Sequence, residues 1–145
     1  MKFSNKIIPI IILVFLALQC SIISHEDKNK SEIVEPIIES ISASQSYEMI
    51  QDNLTNENFV ILDIRTPDEY QSGHIENAHN IDFYFSTFED DLDKLDKTLT
   101  YLIYCRSGGR SGQALEKMEN LNFEIVYNML GGMIKWKSLD YPVTI

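Results

Sequence analysis

The sequence has few basic residues, no histidines at metal-ligand spacing and no glycine-rich dinucleotide motif. Its 145 residues include 12 Lys and Arg against 22 Asp and Glu, and a net charge of −10 repels phosphates and argues against nucleic acid as a partner. His25, His74 and His79 lack the spacing of metal ligands. No Gly-rich dinucleotide fingerprint follows the first apolar strand. We therefore expect one small domain that works without metal or cofactor.

Acidic residues are absent from the first 20 positions, where Lys2 and Lys6 precede an apolar stretch at residues 7–18. This stretch is shorter than the ~20 residues of a membrane-spanning helix and is typical of a bacterial secretory signal. We predict a signal peptide at residues 1–19 and export to the periplasmic side. The alternatives are an uncleaved signal anchor that runs on to Ile23, and plain cleavage with release.

The segment at residues 17–20 resembles a lipobox, although Gln19 stands where Gly, Ala or Ser is usual. In this interpretation Cys20 becomes the lipid-modified first residue of the mature protein. A polar, acidic tether at residues 20–40 would then hold a domain at residues 41–145 close to a membrane. We expect that domain to be a monomer.

Cysteine is scarce as well, since Cys20 and Cys105 are the only two. If Cys20 carries lipid, Cys105 has no partner, and a structural disulfide is excluded. A buried, inert cysteine is common in protein cores. The polar and glycine-rich residues that follow Cys105 disfavour that interpretation, because a core strand does not continue in this way.

Apolar runs and helix signals alternate along the rest of the chain. We predict buried strands at residues 59–64 and 99–104, a third strand at 123–127, a short edge strand at 37–41 and a short strand at 78–81. Helices are predicted at residues 44–54 with Ser44 as N-cap, from Thr66 to Gly73 with a capping box to Glu69, within 83–97, at 113–120 and at 133–138. This alternation predicts an α/β fold with a parallel sheet and helices on both faces.

Three segments are expected to meet at the carboxyl ends of the strands, where ligands bind in such sheets. Arg65 follows the first buried strand, Cys105 follows the second, and Gly131 and Gly132 follow the third. Cys105 opens a tight loop that leads into a helix N-terminus, where backbone amides can stabilise an anion. We therefore predict an ionised, nucleophilic thiol that is open to solvent.

The chain resembles a single-domain rhodanese, a sulfurtransferase. The resemblance lies in residues 62–70, 73–81, 105–111 and 131–136, which occur in the family's order over about residues 41–141. Departures occur at residues 76–77, at His79 and at Asp82, which are turn and strand-edge positions. The resemblance implies a three-layer α/β domain with a five-stranded parallel sheet, and transfer of a sulfane sulfur through a cysteine persulfide.

The resemblance also implies roles for the Cys105 loop, defined here as residues 105–111. Cys105 would carry the sulfur between a small anionic donor, such as thiosulfate, and an acceptor that is cyanide, a thiol or a protein. The residues expected to hold the donor and to direct backbone amides at the sulfur are Arg106, Ser107, Gly108, Gly109, Arg110 and Ser111.

Two other activities stay open at this stage. The protein could be a persulfide carrier that passes sulfur to one protein partner with poor turnover on small molecules. A Cys-based phosphatase or arsenate reductase is disfavoured, because phosphatases of this architecture resemble Cys-x5-Arg, whereas Cys105 and Arg110 form the shorter Cys-x4-Arg.

Several polar residues have a functional and a structural interpretation. Arg106 is expected to face the donor, whereas Arg110 could hold the donor or pair with an acid. Ser111 is more simply a helix cap than a hydroxyl donor to sulfur. For Asp63 with Arg65, we favour a structural ion pair, and His74 is expected to make a structural hydrogen bond that orders a turn.

Overall fold

The computed structural model describes residues 35–145. The predicted signal peptide, the lipidation site Cys20 and most of the tether lie outside these residues and stay predictions. Within residues 35–145, no helix has both the length and the apolar character needed to cross a membrane.

The centre of the fold is a five-stranded parallel sheet with the strand order β1-β5-β4-β2-β3. The strands are β1 Ile37–Ile41, β2 Phe59–Asp63, β3 His79–Asn80, β4 Thr100–Tyr104 and β5 Ile125–Met129. The fold class predicted from the sequence is confirmed. The edge strand predicted at residues 37–41 is present and pairs along its whole length with β5, so residues 37–40 belong to the sheet and not to the tether.

Four helices connect these strands, and a fifth follows β5. They are α1 Ala43–Asp52, α2 Pro67–Gln71, α3 Phe88–Asp93, α4 Gly109–Asn120 and α5 Gly132–Ser138. The capping box predicted for α2 is present, because Thr66 Oγ1 accepts from Glu69 N–H and the Glu69 carboxylate accepts from Thr66 N–H. The N-cap of α1 is Ser42 rather than the predicted Ser44, since Ser42 Oγ accepts from Gln45 N–H.

Each face of the sheet carries its own apolar core, which gives the domain three layers. On one face, Leu102 and Tyr104 pack with Ile50 of α1 and Trp136 of α5. The opposite face carries Leu92 of α3, Met118 of α4 and Cys105 in a second apolar cluster. The alternation of side chains along β4 therefore directs Cys105 toward the α4 face, beneath the N-terminus of that helix.

Candidate active site

The carboxyl ends of β4 and β5 are joined through the Cys105 loop. The backbone N–H of Met133 donates to the carbonyl of Cys105 at 2.9 Å, and the N–H of Ile134 donates to the carbonyl of Arg106 at 3.0 Å. The first turn of α5 thus holds the backbone of the loop. The predicted convergence of Cys105 with Gly131 and Gly132 is present in the fold.

Gly132 makes this contact possible because its backbone has φ +52° and its Cα lies against the loop. A Cβ atom at this position would overlap the carbonyl oxygen of Cys105 and lie 2.7 Å from the carbonyl carbon of Arg106. Both obstacles are backbone atoms, which cannot rotate away as a side chain does. A glycine is therefore required where α5 meets the Cys105 loop.

The sulfur of Cys105 accepts hydrogen bonds from the loop that surrounds it. The N–H of Gly108 lies 3.1 Å from Sγ, and Ser111 Oγ lies 3.5 Å from Sγ. Burial raises the pKa of the Cys105 thiol, but the Ser111 hydroxyl and the backbone N–H groups of Ser111, Ser107 and Gly108 lower it by more. The net pKa lies below that of an ordinary cysteine, which favours the thiolate.

Ser111 faces the sulfur, so its interpretation as a helix cap is wrong. The N-cap of α4 is Gly108, whose φ of +94° turns the chain into the helix. This earlier start places Ser111 in the first turn of α4, where it is fully buried. Its hydroxyl can donate to Sγ or, at 3.2 Å, to the carbonyl of Gly108.

The thiol is more enclosed than the sequence predicts. Cys105 is 1% exposed, whereas Arg106, Ser107 and Gly109 above it are exposed. The enclosure arises because the loop is short and α4 begins immediately after Gly108, which brings the amides onto the sulfur. Cys105 is thus buried in the apolar cluster on the α4 face, and Gly108 N–H of the loop contacts its sulfur.

Arg110 is held by an acid. Its guanidinium donates to both carboxylate oxygens of Glu69, each at 2.8 Å. This bond lowers the pKa of Glu69 to about 2, so the carboxylate stays ionised at neutral pH. Glu69 also completes the cap of α2, and the pair thereby joins α2 to α4. The sequence indicates the cap but not this second role, which depends on a contact 41 residues away.

The ion pair between Asp63 and Arg65 is buried and structural, as favoured from the sequence. Arg65 Nε lies 2.9 Å from a carboxylate oxygen of Asp63, and Arg65 Nη2 donates to the carbonyl of Gly73 at 2.9 Å. His74 lies next to this turn, with Nδ1 3.1 Å from the carbonyl of Tyr70 and its ring stacked on the Tyr70 ring. These contacts order the turn after α2.

A cleft lies beside the loop, which we call the rim cleft. It has a volume of about 250 Å³, and its lining includes Arg65, Glu69, Arg106, Met133, Ile134 and Lys137. Arg106 is thus placed at an opening, as expected. Lys137 was not predicted, because nothing in the local sequence distinguishes it from Lys135 on the same helix.

Replacing Ser111 by Ala is expected to raise the pKa of the Cys105 thiol, because one hydrogen bond to the thiolate is lost. At pH 7 the alkylation of Cys105 by iodoacetamide should slow by about three- to tenfold. The measurement is the pH profile of alkylation, followed by mass spectrometry of the peptide that contains Cys105.

Ser107→Ala is the matched control, because Ser107 acts on the sulfur through its backbone N–H, which alanine retains. Its alkylation profile should coincide with that of the wild type. A Ser111→Ala profile that also coincides with the wild type would show that the hydroxyl does not stabilise the thiolate.

The chain matches a known protein family. A family model described as a Rhodanese-like domain matches residues 45–139. The chain is 29% identical over 98 residues to thiosulfate sulfurtransferase GlpE of Coxiella burnetii, and the match covers 68% of this chain and 86% of that protein. It is 32% identical over 87 residues to a sulfurtransferase of Allochromatium vinosum, which covers 60% of this chain and 79% of that protein.

The solved structures agree with this assignment. A rhodanese-related protein from Thermoplasma volcanium superimposes with a TM-score of 0.63 at 30% identity, covering 73% of this chain and 97% of that one. The family match spans well over half of the chain and includes the whole Cys105 loop. The chain therefore belongs to the family of rhodanese-like domains.

Proposed function

We propose that this protein moves a sulfane sulfur from thiosulfate or a similar donor to a thiol or to cyanide, through a persulfide on Cys105. The observation that supports this most directly is the environment of Sγ. Gly108 N–H and the Ser111 hydroxyl stabilise a negative charge there, and the pKa of the thiol is lowered. A thiolate is the form of cysteine that attacks sulfur.

The first half-reaction loads Cys105. The thiolate attacks the outer sulfur of thiosulfate, a new S–S bond forms, and the original S–S bond breaks. Its electron pair leaves with sulfite. The lowered pKa of the Cys105 thiol favours the attacking thiolate, so this step invokes no separate general base. The charge of the persulfide is then stabilised by the same amides that stabilise the thiolate.

The second half-reaction removes the outer sulfur from the Cys105 persulfide. An acceptor thiolate or cyanide attacks the outer sulfur of the persulfide, and the electron pair of the broken S–S bond returns to Cys105. The acceptor leaves as an organic persulfide or as thiocyanate. Two separate half-reactions with a covalent intermediate predict ping-pong kinetics.

The donor must pass the loop, because Cys105 itself is buried. Ser107 and Gly109 of the loop are exposed. We expect a small movement of residues 106–109 to open the sulfur to the donor. Arg106, exposed at this opening, is suited to attract a divalent anion.

Phosphate chemistry has less support. An arginine that stabilises a phosphoryl group must direct its guanidinium at that group. Here both terminal nitrogens of the Arg110 guanidinium donate to Glu69, at 2.8 Å each. The geometry therefore agrees with the short Cys-x4-Arg spacing.

The test is the mass of the intact chain after incubation with thiosulfate. We expect a gain of one sulfur atom that is removed by cyanide. Peptide mapping should place this sulfur on Cys105 and not on Cys20, which is the internal control. No gain in mass, or a sulfur found only on Cys20, would contradict the proposal. A loaded Cys105 with very slow turnover of cyanide would identify a carrier rather than a catalyst.

A further inference from the structure

The unpaired cations of this acidic domain lie together beside the Cys105 loop. Residues 35–145 contain eight Lys and Arg side chains. Five of them form ion pairs within the described residues, namely Arg65, Lys94, Lys97, Arg110 and Lys117. The three that form none in this part of the chain are Arg106, Lys135 and Lys137. Arg106 belongs to the Cys105 loop, and both lysines belong to α5, which is bonded to that loop.

Two of these three cations, Arg106 and Lys137, line the rim cleft, and neither forms an ion pair within residues 35–145. The other charged residues of the lining cancel, because Arg65 pairs with Asp63 and Glu69 pairs with Arg110. Arg106 and Lys137 thus leave the cleft with a surplus of two positive charges. In a chain with a net charge of −10, such a surplus at one opening selects anions.

The cleft also has an apolar wall. Met133 and Ile134 line it together with Lys137, and their separations of four and three residues place all three on one face of α5. Ile134 is 56% exposed, although it is a large apolar side chain at the edge of the site. The carbon chain of an organic ligand would bury this apolar wall, whereas an inorganic anion would leave it exposed to water.

The position of the cleft relative to the sulfur is determined by the backbone. Met133 N–H and Ile134 N–H donate to the carbonyls of Cys105 and Arg106. The cleft therefore begins at the residue after the nucleophile. At the far end, Lys137 Nζ lies 3.8 Å from the position that a Cβ on Gly73 would take, so the side chain extends toward the turn after α2.

We infer that the rim cleft binds the negatively charged end of an organic thiol acceptor that carries two carboxylates. Its volume of about 250 Å³ is far larger than one tetrahedral inorganic anion, and its apolar wall suits a carbon chain. Arg106 and Lys137 hold the carboxylates while the thiolate of the acceptor attacks the outer sulfur of the Cys105 persulfide. The S–S bond breaks, Cys105 regains its thiolate, and the acceptor leaves as a persulfide. This inference rests on the proposed sulfur transfer.

The kinetic test compares two acceptors, mercaptosuccinate and the uncharged 2-mercaptoethanol, on the protein preloaded with thiosulfate. We expect the ratio of their second-order rate constants to fall by about five- to tenfold in Lys137→Gln. Lys135→Gln is the matched control, because residues two apart on a helix do not share a face, and Lys135 does not line the cleft. Its ratio should equal that of the wild type. An equal fall in both variants, or a fall in neither, would overturn the inference.

A binding measurement separates the cleft from the chemistry. Titration of the full chain with succinate, which has no thiol, should shift the amide resonances of Arg106, Ile134 and Lys137 in wild type and in Lys135→Gln, and shift them much less in Lys137→Gln. If these shifts appear but no persulfide ever forms, the binding of a dicarboxylate to the rim cleft is supported and the proposed sulfur transfer is wrong. If the persulfide forms but succinate causes no shift that depends on Lys137, the cleft inference fails. Sulfate that binds as tightly as succinate would show a site for any anion and would overturn the organic assignment.

Discussion

Cys105→Ser is expected to abolish turnover of thiosulfate and cyanide, with a loss of at least about a thousandfold. Serine keeps a hydrogen-bonding atom among the amides that surround Sγ, but its hydroxyl does not ionise in this pH range and forms no bond that corresponds to a persulfide. The fold should persist, because the substitution changes one atom in a buried position that already has hydrogen-bond donors. The measurement is steady-state formation of thiocyanate, with a thermal melt to verify folding.

Cys20→Ser is the control for the same assay, because it removes the other thiol and leaves the Cys105 loop intact. This variant should keep the turnover of the wild type. Thiocyanate formation that depends on Cys20, or that survives in Cys105→Ser, would show that the sulfur does not travel through Cys105.

Gly132→Ala is expected to damage both the stability of the domain and its activity. A methyl group at this position would overlap the carbonyl oxygen of Cys105, and the backbone has φ +52°, which disfavours a side chain. To relieve the overlap, α5 must move away from the loop and lose the hydrogen bonds of Met133 and Ile134. We expect a loss of about 2–4 kcal/mol in the free energy of unfolding and at least a tenfold loss in sulfur transfer.

Gly112→Ala provides the comparison for this prediction. Gly112 lies inside α4, and no heavy atom is within 4 Å of a Cβ added there. Alanine at a helix interior should increase the free energy of unfolding by about 0.5–1 kcal/mol. Chemical denaturation of the two variants beside the wild type measures the difference. Equal stabilities for Gly132→Ala and Gly112→Ala would mean that the loop does not depend on close contact with α5.

Patterns of a few residues predicted the framework well. The apolar run before Cys105 predicts a buried parallel strand, and β4 is present at Thr100–Tyr104. Thr66, Pro67 and Glu69 predict the start of a helix, and α2 begins with that capping box. The capping box is predictable because its hydrogen bonds span three residues. The strand is predictable because a short, continuous apolar run is typical of a parallel strand that is buried on both faces.

Predictions at the ends of elements were weaker. The helix after the loop begins at Gly109 and not near residue 113, and this difference turned Ser111 from an expected cap into a neighbour of the sulfur. Gly109, Ser111 and Gly112 in the first turn of α4 are poor helix formers by themselves. The helix starts there because the packing of α4 against β4 and β5 outweighs that propensity.

The sequence by itself determined the α/β class, the parallel order of strand and helix, and the placement of one lone cysteine at the carboxyl end of a strand. These follow from hydrophobic period and chain direction, which act locally. Only the tertiary structure decided that Arg110 binds Glu69, that Cys105 is enclosed, and that Lys137 rather than Lys135 shares a cleft with Arg106. Each of these depends on which surfaces of distant segments come into contact, and that is set by how the helices pack on the sheet.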